Sequence, residues 1–126
     1  MAASLPLGVL LTRDTHEAAH YALVVATAAA ALGRAVTLFA THGGCRLLLA
    51  DTPLAADPRE ALLAERGVAT LAVLREAARE LELRLVACEA GLRAEAIDPA
   101  ALLPEAEVAG IVTFLEAVGP GQIVTL

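Results

Sequence analysis

The stretch LGVLLTRDTHEAAHYALVVATAAAALGRAVTLFA, residues 7–40, decides the fold of the chain. It begins with Leu7–Leu11, a short and continuous apolar run of the kind that is buried on both faces of a parallel sheet. An alanine-rich segment that predicts a helix follows and continues to about Leu32. Ala35–Ala40 then predicts a second strand. The stretch therefore predicts a strand, a covering helix and a parallel second strand.

Both ends of this predicted helix carry local signals. Asp14, with Glu17 three residues later, has the spacing of a capping box and predicts the start of the helix. Gly33 is placed to end the helix in the left-handed conformation.

The rest of the chain repeats the alternation of helices and strands. Two further strands are predicted at Leu83–Cys88 and Gln122–Leu126, and two helices at Thr70–Glu82 and Glu105–Val118. Strands that alternate with helices indicate right-handed crossovers and a mostly parallel sheet covered on both faces. We expect an α/β three-layer sandwich.

Length and composition exclude several classes of protein. The chain has 126 residues, of which 58% are hydrophobic and 19% charged, so we expect one folded domain over residues 1–126 and no disordered chain. The formal net charge is −6. Because binding to nucleic acid and to anionic membranes depends on basic residues, we expect neither as a partner.

The cysteine content and the N-terminus indicate a compartment. Two cysteines make neither a disulfide framework nor a zinc pattern. The segment MAASLPLGVLLT lacks the basic residues that open a signal peptide, and the longest uncharged stretch is mostly alanine. We expect a cytoplasmic protein with reduced thiols.

Three predicted strands end next to residues that can bind or react. Because ligands of a parallel sheet bind outside the carboxyl ends of its strands, these residues are the candidates for a site. As catalytic candidates we take Cys88, His42 and Cys45, and as ligand-binding candidates Gly43, Gly44, Glu89 and Thr12.

Each reactive candidate has a plainer alternative. Cys88 ends a strand before a turn, where free backbone N–H groups can stabilise a thiolate, but a cysteine is also a small buried hydrophobe. Cys45 lies in an apolar segment, where packing is the simpler role. His42 precedes two glycines and can orient a substrate or act as a base, although a loop histidine is more common.

The chain shows no motif of a metal or cofactor enzyme. His16 and His20 have helical i, i+4 spacing, but no third ligand accompanies them, so we expect both to face solvent. Neither a phosphate loop, a dinucleotide fingerprint, a nucleophile elbow nor a zinc-protease motif is present. We expect no metal and no cofactor.

The segment LRLVACEAGLRAEAIDPAALLPEAEVAGIVTFLEA, residues 83–117, resembles the C-terminal half of the DsrE/DsrF-like family of small sulfur-relay proteins. The matching positions are Ala87-Cys88, Gly91-Leu92, Leu102 and Val108-Ala109-Gly110. An apolar first strand, an alanine-rich helix and a second strand ending near Phe39 also fit, so the resemblance covers nearly the whole chain. Ala90 and Leu92 stand where methionine is usual, and Ala96 where glycine is common.

The resemblance implies a DsrE-like variant of the flavodoxin-like sandwich and a function for Cys88. That function is a sulfurtransferase-like relay, in which Cys88 accepts sulfur as a persulfide from a donor protein and passes it to an acceptor protein. The alternative is a non-catalytic oligomeric scaffold or small-ligand module of the same fold. A thiol peroxidase has less support, because neither cysteine lies in a C-x-x-C motif.

The C-terminal apolar segment predicts self-association. AEVAGIVTFLEAV, residues 106–118, is charged only at Glu107 and Glu116, and as a helix it would be apolar on more than one side. One side can pack on the sheet, and the other then needs a partner. We expect a homo-oligomer, and the resemblance points to a trimer or hexamer.

Overall fold

The computed structural model describes residues 4–126. At its centre lies a five-stranded, fully parallel sheet with the strand order β4-β3-β2-β1-β5. The strands are β1 Leu7–Leu11, β2 Val36–Ala40, β3 Arg84–Cys88, β4 Ala106–Ala109 and β5 Gln122–Thr125. All four strands expected from the sequence are present, and the expected sandwich with a mostly parallel sheet is confirmed.

Five α-helices and three short 3₁₀ segments connect the strands. The helices are α1 His16–Ala31, α2 Pro58–Glu65, α3 Leu71–Glu80, α4 Glu89–Ala94 and α5 Ile111–Val118. The 3₁₀ segments are His42–Leu48, Pro53–Ala56 and Pro99–Ala101. None of the helices within residues 4–126 has both the length and the apolar character that crossing a membrane requires.

The prediction of one continuous helix over Glu105–Val118 is wrong. The segment divides into β4 and α5, with Gly110 between them in an extended conformation at the start of α5. Ala106 and Ala109 lie opposite Leu85 and Cys88 of β3, so the backbone of β4 finds its hydrogen-bond partners in the sheet. Pairing with β3 therefore outweighs the helical pattern of the side chains.

The start of α1 also differs from the expectation. Thr15, and not Asp14, caps the helix, with its hydroxyl accepting a hydrogen bond from the Ala18 N–H at 3.2 Å. Asp14 instead lies 3.7 Å from Arg46. The end of α1 is as expected, because Gly33 follows with a φ of +89°.

The two faces of the sheet are covered very differently. Helices α1 and α3 pack together on one face, which we call the α1 face and which holds the larger buried cluster. On the opposite side, the α5 face, helix α5 packs over β1 and β2. The smaller cluster lies there and consists of Phe39, Val86, Cys88, Phe114 and Val118.

Helix α5 approaches the sheet closely because β1 carries a glycine beneath it. A Cβ atom on Gly8 would lie 2.4 Å from Cγ2 of Val118 and 2.7 Å from Cζ of Phe114. The rings of Phe114 and Phe39 stack with centroids 5.1 Å apart. Two side chains of the helix, Phe114 and Val118, therefore supply its buried contact with the sheet.

Candidate functional site

The fully parallel sheet places the ends of β1, β2 and β3 at the same edge. Thr12 follows β1, His42 follows β2 after one residue, and Glu89 follows β3 directly. This carboxyl edge is where sheets of this type bind their ligands.

Cys88 is the last residue of β3 and immediately precedes α4. Its side chain belongs to the cluster on the α5 face and is 9% exposed. The sulfur accepts a hydrogen bond from the Gly91 N–H at 3.4 Å. A backbone donor in this position stabilises negative charge on the sulfur, which is the charge of the nucleophilic form.

Gly91 holds the first turn of α4 against the end of β2. A Cβ atom at this position would lie 2.7 Å from the backbone nitrogen of His42 and 2.9 Å from Oγ1 of Thr41. Any larger residue would push α4 away and with it the N–H group that meets Cys88. The glycine that carries part of the family resemblance thus has a packing reason in this chain.

Ala96, just beyond α4, has a φ of +53°. A residue with a Cβ atom is strained in this left-handed region, whereas glycine is not. The backbone at this turn therefore has the conformation that explains why glycine is common at the matching position of the resembled family.

Cys45 lies close to Cys88 but in a different chemical environment. Its side chain is fully buried, and its thiol donates to the backbone oxygen of Ala40 at 3.4 Å. Burial, followed by the nearby Cys88 sulfur, raises the pKa of the Cys45 thiol to about 11, although the backbone N–H of Cys88 partly offsets this. Cys45 therefore stays protonated at neutral pH, and both cysteines are free.

Gly43 and Gly44 allow the 3₁₀ segment to pack against the end of β1. A Cβ atom on Gly44 would lie 2.3 Å from the backbone oxygen of Leu11, and one on Gly43 would lie 3.1 Å from Cβ of Asp14. Their contacts are thus with the protein itself. His42, at the start of the segment, is exposed and has a φ of +49°.

Two ion pairs lie near Cys88 at the carboxyl edge of the sheet. Arg46 lies 2.6 Å from Glu95, which joins the 3₁₀ segment to the residue after α4. Glu89 pairs with Arg93 one turn along α4 and is exposed. Both pairs fix charged side chains around the turn that contains Cys88, without placing one on its sulfur.

The structure also contains a cavity at the carboxyl edge of the sheet, where β1 and β5 lie side by side; we call it the β1/β5 cavity. It measures about 430 Å³ and lies where β1 and β5 end beside the start of α1. Its walls are formed by Thr12, Arg13, Thr15, Glu17, Ala18, Tyr21, Thr125 and Leu126. Of the site residues expected from the sequence, Thr12 alone lines this cavity.

Sequence reasoning missed the other walls of the cavity because they depend on long-range pairing. Leu126 donates its N–H to the Leu10 oxygen at 2.8 Å, and its own oxygen accepts from the Thr12 N–H at 3.0 Å. No local pattern says that the last strand lies beside the first. Arg13, directly after Thr12 at the end of the first predicted strand, is the one further wall that the sequence places at this edge.

The expectation that His16 faces solvent is wrong. His16 is 3% exposed, and its Nε2 lies 2.6 Å from Oε1 of Glu60. The ring stacks on that of His20 with centroids 5.8 Å apart, and Nδ1 has no partner in the described part of the chain. Residues 4–126 contain no group of three or more histidine, cysteine or acidic side chains placed to hold a metal ion.

Glu60 joins three helices through this contact. Besides contacting His16 of α1, its carboxylate accepts the N–H of Leu71 at 2.7 Å and of Ala72 at 3.2 Å, at the start of α3. Burial alone would raise the pKa of Glu60, but the hydrogen bonds from His16, Leu71 and Ala72 outweigh it and hold the pKa below its usual value. This cluster is a structural contact on the α1 face.

Comparison with solved structures shows what kind of fold this is. The crystal structure of the YchN protein from E. coli is similar over 98% of this chain and 100% of its own, with a TM-score of 0.75 and 12% sequence identity. A protein of unknown function from Methanobacterium thermoautotrophicum, MTH1491, covers the same shares with a TM-score of 0.59 and 17% identity. Both neighbours have DsrE-like folds, and the likeness extends to the fold of this chain. Neither a protein-family model nor a curated protein sequence matches the chain.

Proposed function

We propose that the protein is a sulfur carrier that receives sulfur on Cys88 as a persulfide and passes it to a partner protein. The observation that carries this proposal is the position of Cys88 at the carboxyl end of a central strand, with the Gly91 N–H donating to its sulfur. The DsrE-like fold of the solved neighbours and the family resemblance of residues 83–117 support it.

The transfer needs a thiolate and a donor that carries a sulfane sulfur. The Cys88 thiolate attacks the terminal sulfur of a donor persulfide, and a new bond forms between the two sulfur atoms. The old sulfur–sulfur bond of the donor breaks, and the donor leaves as a thiolate with the bonding electron pair. Attack by an acceptor thiolate on the terminal sulfur of the Cys88 persulfide repeats the step and regenerates Cys88.

Small residues beside Cys88 support an approach route for the donor. On the neighbouring edge strand, Ala109 lies directly opposite Cys88. Gly110 follows it, and a Cβ atom at this position would meet nothing within 4 Å. Under this proposal, a donor sulfur approaches the buried thiol past β4, on the α5 face.

The two cysteines divide their roles under this proposal. Cys45, buried and held as a thiol, is a packing residue, and Cys88 is the nucleophile. His42 is exposed near the same turn, where it can contact a donor or acceptor protein.

One observation favours the alternative of a non-catalytic scaffold or small-ligand module. Cys88 is only 9% exposed and packs among the apolar residues of the small cluster, which is also what a structural cysteine does. In that case the α5 face would serve assembly alone.

Mass spectrometry separates the two functions. After incubation with a sulfane-sulfur donor such as polysulfide, the carrier gains about 32 Da, the mass of one sulfur atom, on the peptide that contains Cys88. Cys88→Ser abolishes the gain, and Cys45→Ser, the matched control, retains it. If Cys88 gains no sulfur and resists alkylation in the folded protein, the scaffold is the correct function.

We also propose that the functional form is a homo-oligomer, a trimer or hexamer. Ile111, Val112 and Leu115 on α5 and Ile123 on β5 are large apolar side chains that remain exposed on one face of the chain. An exposed apolar surface of this kind is typical of an interface between subunits.

A further inference from the structure

The β1/β5 cavity lies at the point where the connections of the sheet reverse direction. From β1 the chain leaves towards α1, on the α1 face, whereas β5 is reached from α5, on the opposite face. The strand order also reverses between β1 and β5, and at such a reversal a parallel sheet binds ligands in a crevice at its carboxyl edge. The cavity occupies this crevice, and its volume of about 430 Å³ is in the range of small-molecule sites.

Two side chains of opposite charge line this cavity without being paired to each other. Arg13 follows β1 and Glu17 lies in the first turn of α1. Within residues 4–126, neither side chain forms an ion pair or a side-chain hydrogen bond. Other charged side chains close to the same edge, such as Arg46 and Glu89, are paired.

Hydroxyl groups beside these charges have unused hydrogen-bonding capacity. The Thr15 oxygen accepts from the Ala18 N–H, so its own proton is free to be donated. The Thr12 hydroxyl donates to the Leu126 oxygen at 3.2 Å, so its lone pairs are free to accept. A free donor and a free acceptor therefore line the same cavity as Arg13 and Glu17.

We propose that the β1/β5 cavity binds a small zwitterion that carries both a carboxylate and a protonated amine, as a free α-amino acid does. Arg13 and the Thr15 hydroxyl bind the carboxylate, and Glu17 and the Thr12 oxygen bind the amine. Ala18 and the ring of Tyr21 form the part of the wall that faces the side chain of the ligand. A simple anion would be repelled by Glu17 and a simple cation by Arg13, so the pair of charges selects a molecule with both.

Amide NMR spectra of the full chain test this site with three probes of similar size. L-alanine carries both charges, acetate only the negative one and methylammonium only the positive one. We expect L-alanine to shift the amide signals of residues 12–18 and 125–126 in a saturable manner. Acetate and methylammonium bind at least about tenfold more weakly, because each makes half of the charge-assisted contacts.

Matched variants assign the effect to the two charges. Arg13→Gln and Glu17→Gln should each weaken L-alanine binding at least about fivefold. Arg59→Gln and Glu80→Gln, which change exposed side chains of α2 and α3 outside the cavity, should leave it unchanged. Cys88→Ser should also leave it unchanged, so the result is independent of the sulfur-carrier function.

Three results would overturn the proposal. One is the absence of a saturable response to L-alanine at residues 12–18. Another is equal affinity for acetate and L-alanine, which would make this a simple anion site. The third is full binding by the double variant of Arg13 and Glu17.

Discussion

The α1 face and the α5 face belong to the same sheet but differ in how they are covered. On the α1 face, two packed helices and a 3₁₀ segment close a large apolar cluster, and polar contacts such as that of Glu60 fasten the helices to each other. On the α5 face, one short helix rests on two anchoring side chains and leaves its outer side apolar and exposed. Stability is concentrated on one face, and the candidate cysteine and the unpartnered surface lie on the other.

The largest effect is expected from removal of the anchor of α5. Phe114→Ala deletes a fully buried ring and should lower the free energy of unfolding by about 3–5 kcal/mol. Glu116→Ala, two residues along the same helix and exposed, should cost less than about 1 kcal/mol. Urea denaturation measures both, and equal losses would contradict the view that the helix depends on its anchors.

Hydrogen exchange gives the same comparison by region. In Phe114→Ala, amides of α5 should lose protection while those of α1 keep it, because α1 is held by the other cluster. Loss of protection on both faces together would mean that the sheet couples them into one unit.

A smaller effect is expected where the helix meets the sheet. Gly8→Ala places a Cβ atom against Val118 and Phe114 and should cost about 1–3 kcal/mol through overpacking. Gly110→Ala, at a position with open space, serves as the control and should cost less than about 1 kcal/mol, because alanine is a poorer N-cap residue than glycine. Overlapping denaturation curves of the two variants would contradict the close contact between α5 and the sheet at Gly8.

The polar contact on the α1 face predicts a dependence of stability on pH. Because the pKa of Glu60 is lowered in the folded protein, its ionised form stabilises the fold at neutral pH, and this contribution is lost as the pH falls below 4.5 and through the folded pKa. Glu60→Gln should cost about 1–2 kcal/mol at pH 7 and progressively less in acid. Glu65→Gln, an exposed position on the same helix, is the control, and a pH-independent difference would contradict the role of the charge.

The smallest change in folding stability is expected on the outer side of α5, together with the largest change in assembly. Val112 is 64% exposed, so Val112→Glu should alter the free energy of unfolding of the subunit by less than about 0.5 kcal/mol. If α5 forms the subunit interface, this variant should dissociate the oligomer. Val73→Glu, at a site on α3 that is 57% exposed, should leave the oligomer intact.

Light scattering at micromolar concentration measures this difference. A mass close to 12.9 kDa for the unmodified protein would contradict the homo-oligomer. Dissociation by Val73→Glu but not by Val112→Glu would place the interface on the α1 face.

The sequence predicted those parts of the fold that local patterns determine. Three apolar runs became the buried strands β1, β2 and β3 because their composition favours burial, whereas the fourth predicted run became the mostly exposed edge strand β5. Gly33 ended α1 as expected. The edge strand β4 was missed because it is short, mostly exposed and composed of residues that suit a helix equally well. Its pairing with β3 is a tertiary effect that no local pattern contains.

Only the position of Cys88 in the candidate site could be predicted from the sequence. Cys88 could be placed at a strand end from the apolar run before it, but its neighbour Cys45 lies 43 positions earlier in the chain and meets it only because β2 and β3 are adjacent. The burial of His16 depends on Glu60, 44 positions away. The β1/β5 cavity depends on a contact between the first and last strands, which the order of the elements leaves open.

The strand order β4-β3-β2-β1-β5 affects the order in which the strands can pair during folding. Strands β1 to β4 lie side by side in the order in which they follow one another in the chain, so each can add to the previous one soon after it is made. Strand β5 must instead return to β1, and its first residue pairs with one 115 positions earlier, Gln122 with Leu7. Contacts so distant along the chain close slowly. We therefore expect the α5 face to form last, and a half-folded chain to present the bare edge of β1 and the uncovered Phe39 to its neighbours.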